Sequence, residues 1–347
     1  MINKNYLKIG KRIISDLNKP LIVPEIGINH NGSIETAIKI VDSAKRAGAE
    51  IIKHQTHIPE DEMSIEAKKI KPGNSKKNIF KIIKECSLNL EDEYKLFRYV
   101  KKKKMIYLST PFSKLAVDRL FKFGVDAFKI GSGEMNNYPL LDYINKKKKP
   151  MIISTGMNDL KSINRMLNSI NFKTSVALLH TTNLYPTPDN LVRLGSITDL
   201  KKRFPNYVIG LSDHTKNNYS SYGAIALGAN IIEKHFTDKK NRSGPDIPAS
   251  IDEEQLRELI IGCNTIYEQR QGGKTYLKEE QVTRNFAYAS VVATKNILKG
   301  QKLNYDNLWV KRPGSGDFEA SKISSLIGLK AKRKIKFDTQ ISKKDVH

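Results

Sequence analysis

Short apolar runs alternate with stretches of helical period along this chain. Eight runs stand out: Leu21–Val23, Glu50–Ile52, Met105–Ser109, Ala127–Ile130, Met151–Ser154, Val176–His180, Tyr207–Leu211 and Asn230–Glu233. They are rich in Ile and Val and bounded by Gly, Pro or Asn, as strands buried on both faces are. Between them lie helical stripes. Ile34, Ala37, Ile38, Val41 and Ala44 form one and end at Gly48; Leu115, Leu120 and Phe123 form another and end at Gly124; Tyr222, Ile225 and Ala226 form a third and end at Gly228. Glycine stops a helix because it enters the left-handed conformation without a side-chain clash. Eight strand–helix units over residues 1–270 predict an α/β fold, a closed (β/α)8 TIM barrel. An open doubly wound sheet would call for fewer strands and a glycine-rich first turn, and Pro24-Glu25-Ile26-Gly27 is not such a turn. The stretch Gln55–Met105 holds two helices' worth of chain, so Thr56–Leu90 is expected to make an excursion over the top of the barrel.

The barrel's last helix is expected at Glu253–Arg270, followed by a linker over 271–284 that starts at Gln271-Gly272-Gly273-Lys274. The texture then changes. Val291-Val292-Ala293, Leu308-Trp309-Val310 and Ile341 are short runs separated by turns such as Lys299-Gly300 and Pro313-Gly314-Ser315-Gly316. Residues 285–347 therefore read as a small, mostly β lid domain, near the lower size limit for a stable core.

Composition narrows the function classes. The residues are 39% hydrophobic and 28% charged, which suits a globular chain with a sizeable core, and no run is long enough to span a bilayer. Met1–Arg12 is polar and basic, unlike a signal peptide, and Cys86 and Cys263 are far apart without CxxC spacing. A cytoplasmic protein without a disulfide framework is the expectation. The net charge of +24 raises nucleic-acid binding, yet the lysine runs 101–104 and 146–149 sit at expected helix ends, where cations complement the helix dipole. No aromatic residues interleave with them as a stacking groove requires. The charge reads as a solvated surface, and no nucleic-acid or membrane partner is expected.

The active site of such a barrel lies at the C-terminal strand ends. The residues there are Glu25; Lys53 and Gln55; Thr110; Lys129 with Ser132 and Glu134; Ser154; Asn183 with Tyr185; His214; and His235. Polar residues at all eight ends converge on one cavity. His214 and His235 follow neighbouring strands and can grip one divalent metal while leaving positions open, which points to a labile ion of the Mn, Mg or Co kind rather than tight zinc. Lys53 and Lys129 sit in near-apolar runs that direct their ammonium groups inward. Two such lysines suit a ligand with both phosphate and carboxylate. A Schiff-base aldolase is the rival and needs one lysine of depressed pKa.

Several segments, taken in order, resemble the bacterial N-acetylneuraminate (sialic acid) synthase family. They are Pro24-Glu25-Ile26-Gly27-Ile28-Asn29-His30-Asn31-Gly32, Lys53-His54-Gln55-Thr56-His57, Ser109-Thr110-Pro111-Phe112, Phe128-Lys129-Ile130-Gly131-Ser132-Gly133-Glu134, Ser212-Asp213-His214-Thr215, His235-Phe236-Thr237, Arg242-Ser243-Gly244-Pro245-Asp246 and Val310-Lys311-Arg312-Pro313-Gly314. The C-terminal part is similar to the type III antifreeze-like (SAF, β-clip) domain of that family. The resemblance implies metal-dependent condensation of phosphoenolpyruvate with N-acetylmannosamine and water. Lys53, Thr110, Lys129, Ser132, Ser154, Asn183 and Ser212 would then hold phosphoenolpyruvate, and His214 and His235 Mn2+, with Mg2+ or Co2+ as alternatives. Gln55, Glu134, Tyr185 and Asp246 would position the open-chain sugar, Glu25 would be a metal-linked or acid–base carboxylate, and Arg312 would reach over from the partner subunit of a domain-swapped homodimer. Sister enzymes make legionaminic and pseudaminic acids from diacetamido-trideoxy hexoses. The residue after their strand-2 lysine is usually apolar, so His54 here implies N-acetylmannosamine.

Overall fold

The apolar runs do form strands, and most barrel strands continue past the end of their run, because the polar residues that follow continue the ladder; the strand Phe128–Ile130 is instead one residue shorter than the run Ala127–Ile130. In the computed structural model, which describes residues 5–71 and 77–346, a hairpin of β1 (Tyr6–Ile9) and β2 (Arg12–Ser15) comes first. Then follow β3 (Leu21–Gly27), β4 (Ile51–Thr56), β5 (Ile106–Pro111), β6 (Phe128–Ile130), β7 (Met151–Ser154), β8 (Val176–Thr181), β9 (Val208–Asp213) and β10 (Ile231–His235). These eight pair in parallel, and β10 closes on β3 to make a barrel. The chain thus folds as the (β/α)8 barrel its pattern predicts.

Alternation within each strand sorts the side chains. Val23, Ile51, Leu108, Ala127, Ile152, Ala177, Leu179, Val208 and Ile231 pack inside the barrel. Their neighbours Ile22, Ile52, Tyr107, Phe128, Ile153, Leu178, Ile209 and Ile232 face the helix layer. The hairpin is an addition to the pattern. Its Leu7, Ile9 and Ile14 are fully buried in the inner cluster, so β1 and β2 pack onto the barrel interior. Its signal is the alternation in Tyr6-Leu7-Lys8-Ile9, outweighed by the basic residues around it.

The helix stripes need adjustment. On Ile34–Arg46, capped by Ser33, the buried face is Ala37, Ile40, Val41, Ser43 and Ala44, and Ile38 is only half-buried. Leu115, expected on the buried stripe of Lys114–Phe123, is 53% exposed, and Ala226 on Tyr219–Ala226 is exposed as well. One residue turns a helix by about 100°, so a short helix with apolar residues on two faces does not reveal which of them is covered. The excursion holds a short helix at Pro59–Glu62, a turn at Ile65–Lys68 and a helix at Ile79–Cys86; residues 72–76 within it lie outside the described residues. Ile83 and Cys86 pack on Ile28 in the loop after β3. That loop turns at Gly32 (φ +76°), where a Cβ would meet the Glu85 carbonyl oxygen at 2.6 Å. The last barrel helix is Glu253–Gln269.

The chain divides into two compact units, Met1–Gln271 and Gly272–His347. The stretch expected as linker, 271–284, is not featureless: it holds a turn at Lys278–Glu280 and the start of a helix, Gln281–Ala287. The second unit pairs β11 (Ser290–Ala293) with β12 (Leu308–Lys311) in antiparallel fashion over its own core, which includes Val291, Ile297, Leu303, Leu308, Ile335 and Ile341. Among the described residues no helix is long and apolar enough to cross a membrane.

Candidate active site

Register sets the floor of the site. His235 pairs with Glu25 across β10 and β3, and Glu25 pairs with Lys53 across β3 and β4, so three inward side chains stand level on neighbouring strands. With Gln55, Thr110, Lys129, Ser132, Ser154, Asn183, Tyr185, Ser212, His214 and Glu233 they line a cavity of about 160 Å³. Lys53 Nζ binds Glu25 Oε1 and lies 3.8 Å from Glu233 Oε1. Lys129 Nζ lies 3.6 Å from that same Glu233 oxygen and donates to Ser154 Oγ at 2.7 Å. Ser212 Oγ donates to Glu233 Oε1 at 3.1 Å, and Ser132 Oγ accepts from the Gly156 N–H at 3.0 Å.

Electrostatics separates the two lysines. Burial works against the charge of Lys53, but Glu233 and Glu25 outweigh it and raise the pKa. Burial brings Lys129 from 10.5 to about 8; Glu233 opposes this fall and Lys53 adds to it. Burial alone would raise Glu25, yet Lys53 and His235 hold it well below the usual carboxylate range. Thr110 Oγ1, Asn183 Oδ1 and Glu233 Oε2 are buried without a hydrogen-bond partner. Buried polar atoms are normally paired, so a pocket that holds two ammonium groups beside unpaired polar atoms is built to take a small polar ligand, the lysines being the groups that would receive an anion.

The histidines stand beside it, their ring centroids 5.4 Å apart, with Tyr185 stacked on His214 at 4.1 Å. His214 Nδ1 faces the Thr182 carbonyl oxygen at 2.8 Å and must donate, which leaves Nε2 with a free lone pair. Burial, with His235 adding, drives His214 down to about 3, so the ring is neutral. His235 Nδ1 is buried and unpartnered. Among the described residues no group of three or more His, Cys, Asp or Glu is arranged to hold a metal ion. A two-imidazole donor set fits a labile divalent ion whose remaining ligands are water and substrate, and does not fit structural zinc.

Other expected residues fall around this core. Gln55 Nε2 donates to Glu25 Oε1 at 2.7 Å. Asp246 Oδ2 lies 3.8 Å from His235 Nδ1; burial raises its pKa against the pull of His235, with Glu25 adding to the rise. Tyr185 is also raised by burial. Glu134 does not line the cavity: Asn137 Nδ2 donates to it at 2.8 Å, and burial raises its pKa. Arg312 belongs to the second unit and is exposed just after β12. His54 faces outward and is 1% exposed, its ring nitrogens 3.2 Å from His30 Nε2 and 3.0 Å from the Tyr107 hydroxyl. Alternation on β4 sends Lys53 inward and His54 outward, so His54 cannot read the acceptor and its weight for N-acetylmannosamine lapses.

Glu233, Phe112 and Thr181 also line the cavity, and strand-end position alone did not single them out. Glu233 is legible in Ile231-Ile232-Glu233-Lys234-His235, where it shares a face with His235, but the apolar run ends there and hides that the strand continues.

Fold and site together define a barrel enzyme acting on a small anionic substrate. The chain belongs to the NeuB family, which matches residues 40–275, and a SAF domain matches residues 288–347. It is 36% identical to the N,N'-diacetyllegionaminic acid synthase of Campylobacter jejuni, over 94% of this chain and 99% of that one. It is 32% identical to the human N-acetylneuraminate-9-phosphate synthase, over 89% of this chain and 88% of that one. A solved N-acetylneuraminic acid (sialic acid) synthetase from Leptospira borgpetersenii superposes with TM-score 0.73 at 26% identity, over 81% of this chain and 95% of that one. The chain is a sugar-acid synthase.

Proposed function

We propose that the chain condenses phosphoenolpyruvate with an open-chain 2-acetamido aldohexose and water, releasing phosphate and a nine-carbon sugar acid. The observation that carries this is the convergence of Lys53 and Lys129 with the unpaired Thr110 and Asn183 on one cavity, beside His214 and His235. The lysines hold the phosphate and carboxylate so that C3 of phosphoenolpyruvate meets the aldehyde carbon in register. Water then adds at C2 and phosphate leaves. Glu25, held ionised on the cavity floor, accepts a proton, and Asp246, 3.8 Å from His235 Nδ1, is the second carboxyl placed to exchange one. A divalent ion on His214 and His235, Mn2+ or alternatively Mg2+ or Co2+, supplies Lewis-acid polarisation of the aldehyde when bound.

Two acceptors stand. N-acetylmannosamine follows from the resemblance to the sialic acid synthases. A 2,4-diacetamido-trideoxy hexose is supported by the C. jejuni relative, and the outward turn of His54 removes the residue argument against it. The aldolase reading is weaker. At about 8, Lys129 is still mostly protonated at neutral pH, and its Nζ is engaged by Ser154, so it acts as an anion ligand.

The test follows phosphate release from phosphoenolpyruvate and Mn2+ with each sugar in turn. Release with N-acetylmannosamine, abolished by EDTA, supports the first acceptor and the metal. Release only with the diacetamido sugar selects the second. Release with neither, together with a borohydride-trapped pyruvate adduct, would replace the synthase by an aldolase.

A further inference from the structure

His57 has no part in the site as described, yet its hydrogen bonds fix its protons. Glu25 Oε1 accepts from Lys53 Nζ and also faces Gln55 Nε2 at 2.7 Å. A reversed amide would set the Gln55 oxygen against that carboxylate, so the amide nitrogen must point at Glu25 and Gln55 Oε1 at His57. His57 Nε2 lies 3.0 Å from Gln55 Oε1 and must donate to it. His57 Nδ1 lies 3.0 and 3.1 Å from the two Glu62 oxygens and must donate there too. With hydrogen on both nitrogens the ring is an imidazolium. Its partner is Glu62, and the two side chains are 5% and 6% exposed. The ring also lies on Phe112, centroids 4.2 Å apart and planes 10° apart, as a cation on an aromatic face. Phe112 in turn lines the cavity.

We propose that His57, held by Glu62, is a positioning residue for the acceptor: it locks the Gln55 amide, and through it the Glu25 carboxylate, in the orientation that receives the sugar. This rests on the synthase reading above. The placement follows from the chain. Gln55 and His57 alternate along β4 and its extension, and the short helix Pro59–Glu62 folds Glu62 back onto the ring. His57 and Glu62 are also among the charges felt by Glu134, and His57 among those felt by Asp246, the carboxyls assigned to the sugar.

Two substitutions keep opposite halves of the ring's bonding. His57→Gln puts an amide donor where Nε2 reaches Gln55; His57→Asn keeps a donor only toward Glu62. In the full-length enzyme, loss of the Gln55 bond in His57→Asn should lower kcat/KM for the acceptor about tenfold or more, the worth of roughly one hydrogen bond to a charged donor. The KM for phosphoenolpyruvate should stay within about twofold, since Lys53 keeps its own bond to Glu25 and Lys129 its bond to Ser154. His57→Gln should recover most of the loss. Equal defects in both variants, or a defect shared by both substrates, would make His57 merely structural. Ring 15N shifts of His57 should show two protonated nitrogens at neutral pH, and a neutral tautomer would overturn the inference. That spectrum needs no acceptor. If neither amino sugar turns over, the proposed function falls while the ring spectrum still decides the relay.

Discussion

Lys129 is where single residues matter most. Its folded pKa is about 8 against an ordinary 10.5, so the folded protein resists holding this proton. For a base lowered by folding, the cost is fully present below pH about 8 and is relieved as pH rises toward 10.5. Function runs the other way, because the anion needs the charge. We expect kcat/KM for phosphoenolpyruvate to fall above pH 8, reporting the free enzyme. Lys129→Met should raise the KM for phosphoenolpyruvate by about a hundredfold, the worth of a charge-assisted hydrogen bond to the anion, and remove that alkaline limb. Glu233→Gln takes a counter-charge from Lys129, so the limb should move to lower pH; a shift upward would show that Glu233 does not support the lysine charge. Lys53 and Lys129 were legible in the sequence because each interrupts an apolar run at an inward position. Glu233, on the same face as His235, was passed over because the apolar run ends at it and hides that β10 continues to His235.

Among the elements, the β1–β2 hairpin is the one the hydrophobic pattern hid. Ile9 is fully buried with the barrel's inner cluster. Ile9→Ala should destabilise the fold by about 2–5 kcal/mol, the cost of a cavity in a packed core. Urea unfolding with an unchanged slope checks it. The hairpin packs with Leu21, Ile51, Val208 and Ile231, which begin their strands, whereas the site lies at the strand ends, so kcat in the surviving native protein should stay near wild type. Strands were easier to place than helix faces. A strand buried on both sides shows itself as an unbroken apolar run, whereas Leu115 and Ala226 show that a short helix with two apolar faces leaves the covered one open.

For the whole molecule, a domain-swapped homodimer in which Arg312 of the second unit serves the partner's site is a proposal drawn from the family resemblance. Arg312→Ala should raise the KM for the acceptor and leave that for phosphoenolpyruvate unchanged. If the partner supplies Arg312, mixing inactive Lys53→Met with Arg312→Ala under exchange conditions should restore activity, because one site of each mixed dimer is intact. No recovery on mixing, with the two variants proven to exchange, would place Arg312 in its own subunit's site or outside it. If His214 and His235 are the metal ligands proposed, chelation followed by Mn2+ should restore turnover without altering the melting temperature by more than a few degrees, as only two side chains would hold the ion. A large loss of stability would mark a structural metal instead.

By itself the sequence determined the barrel, since alternating apolar runs and helical stripes admit few other packings, and it showed that two lysines and two histidines follow its strands, since strand-end residues share one rim. Tertiary structure decided the rest. Closure of β10 on β3 brought His235 level with Glu25 and Lys53; alternation on β4 turned His54 away; and the return of Glu62 onto His57 tied the Gln55 amide. These are matters of register and chain return. They depend on contacts between residues that local pattern does not relate, so they exist only once the barrel is closed.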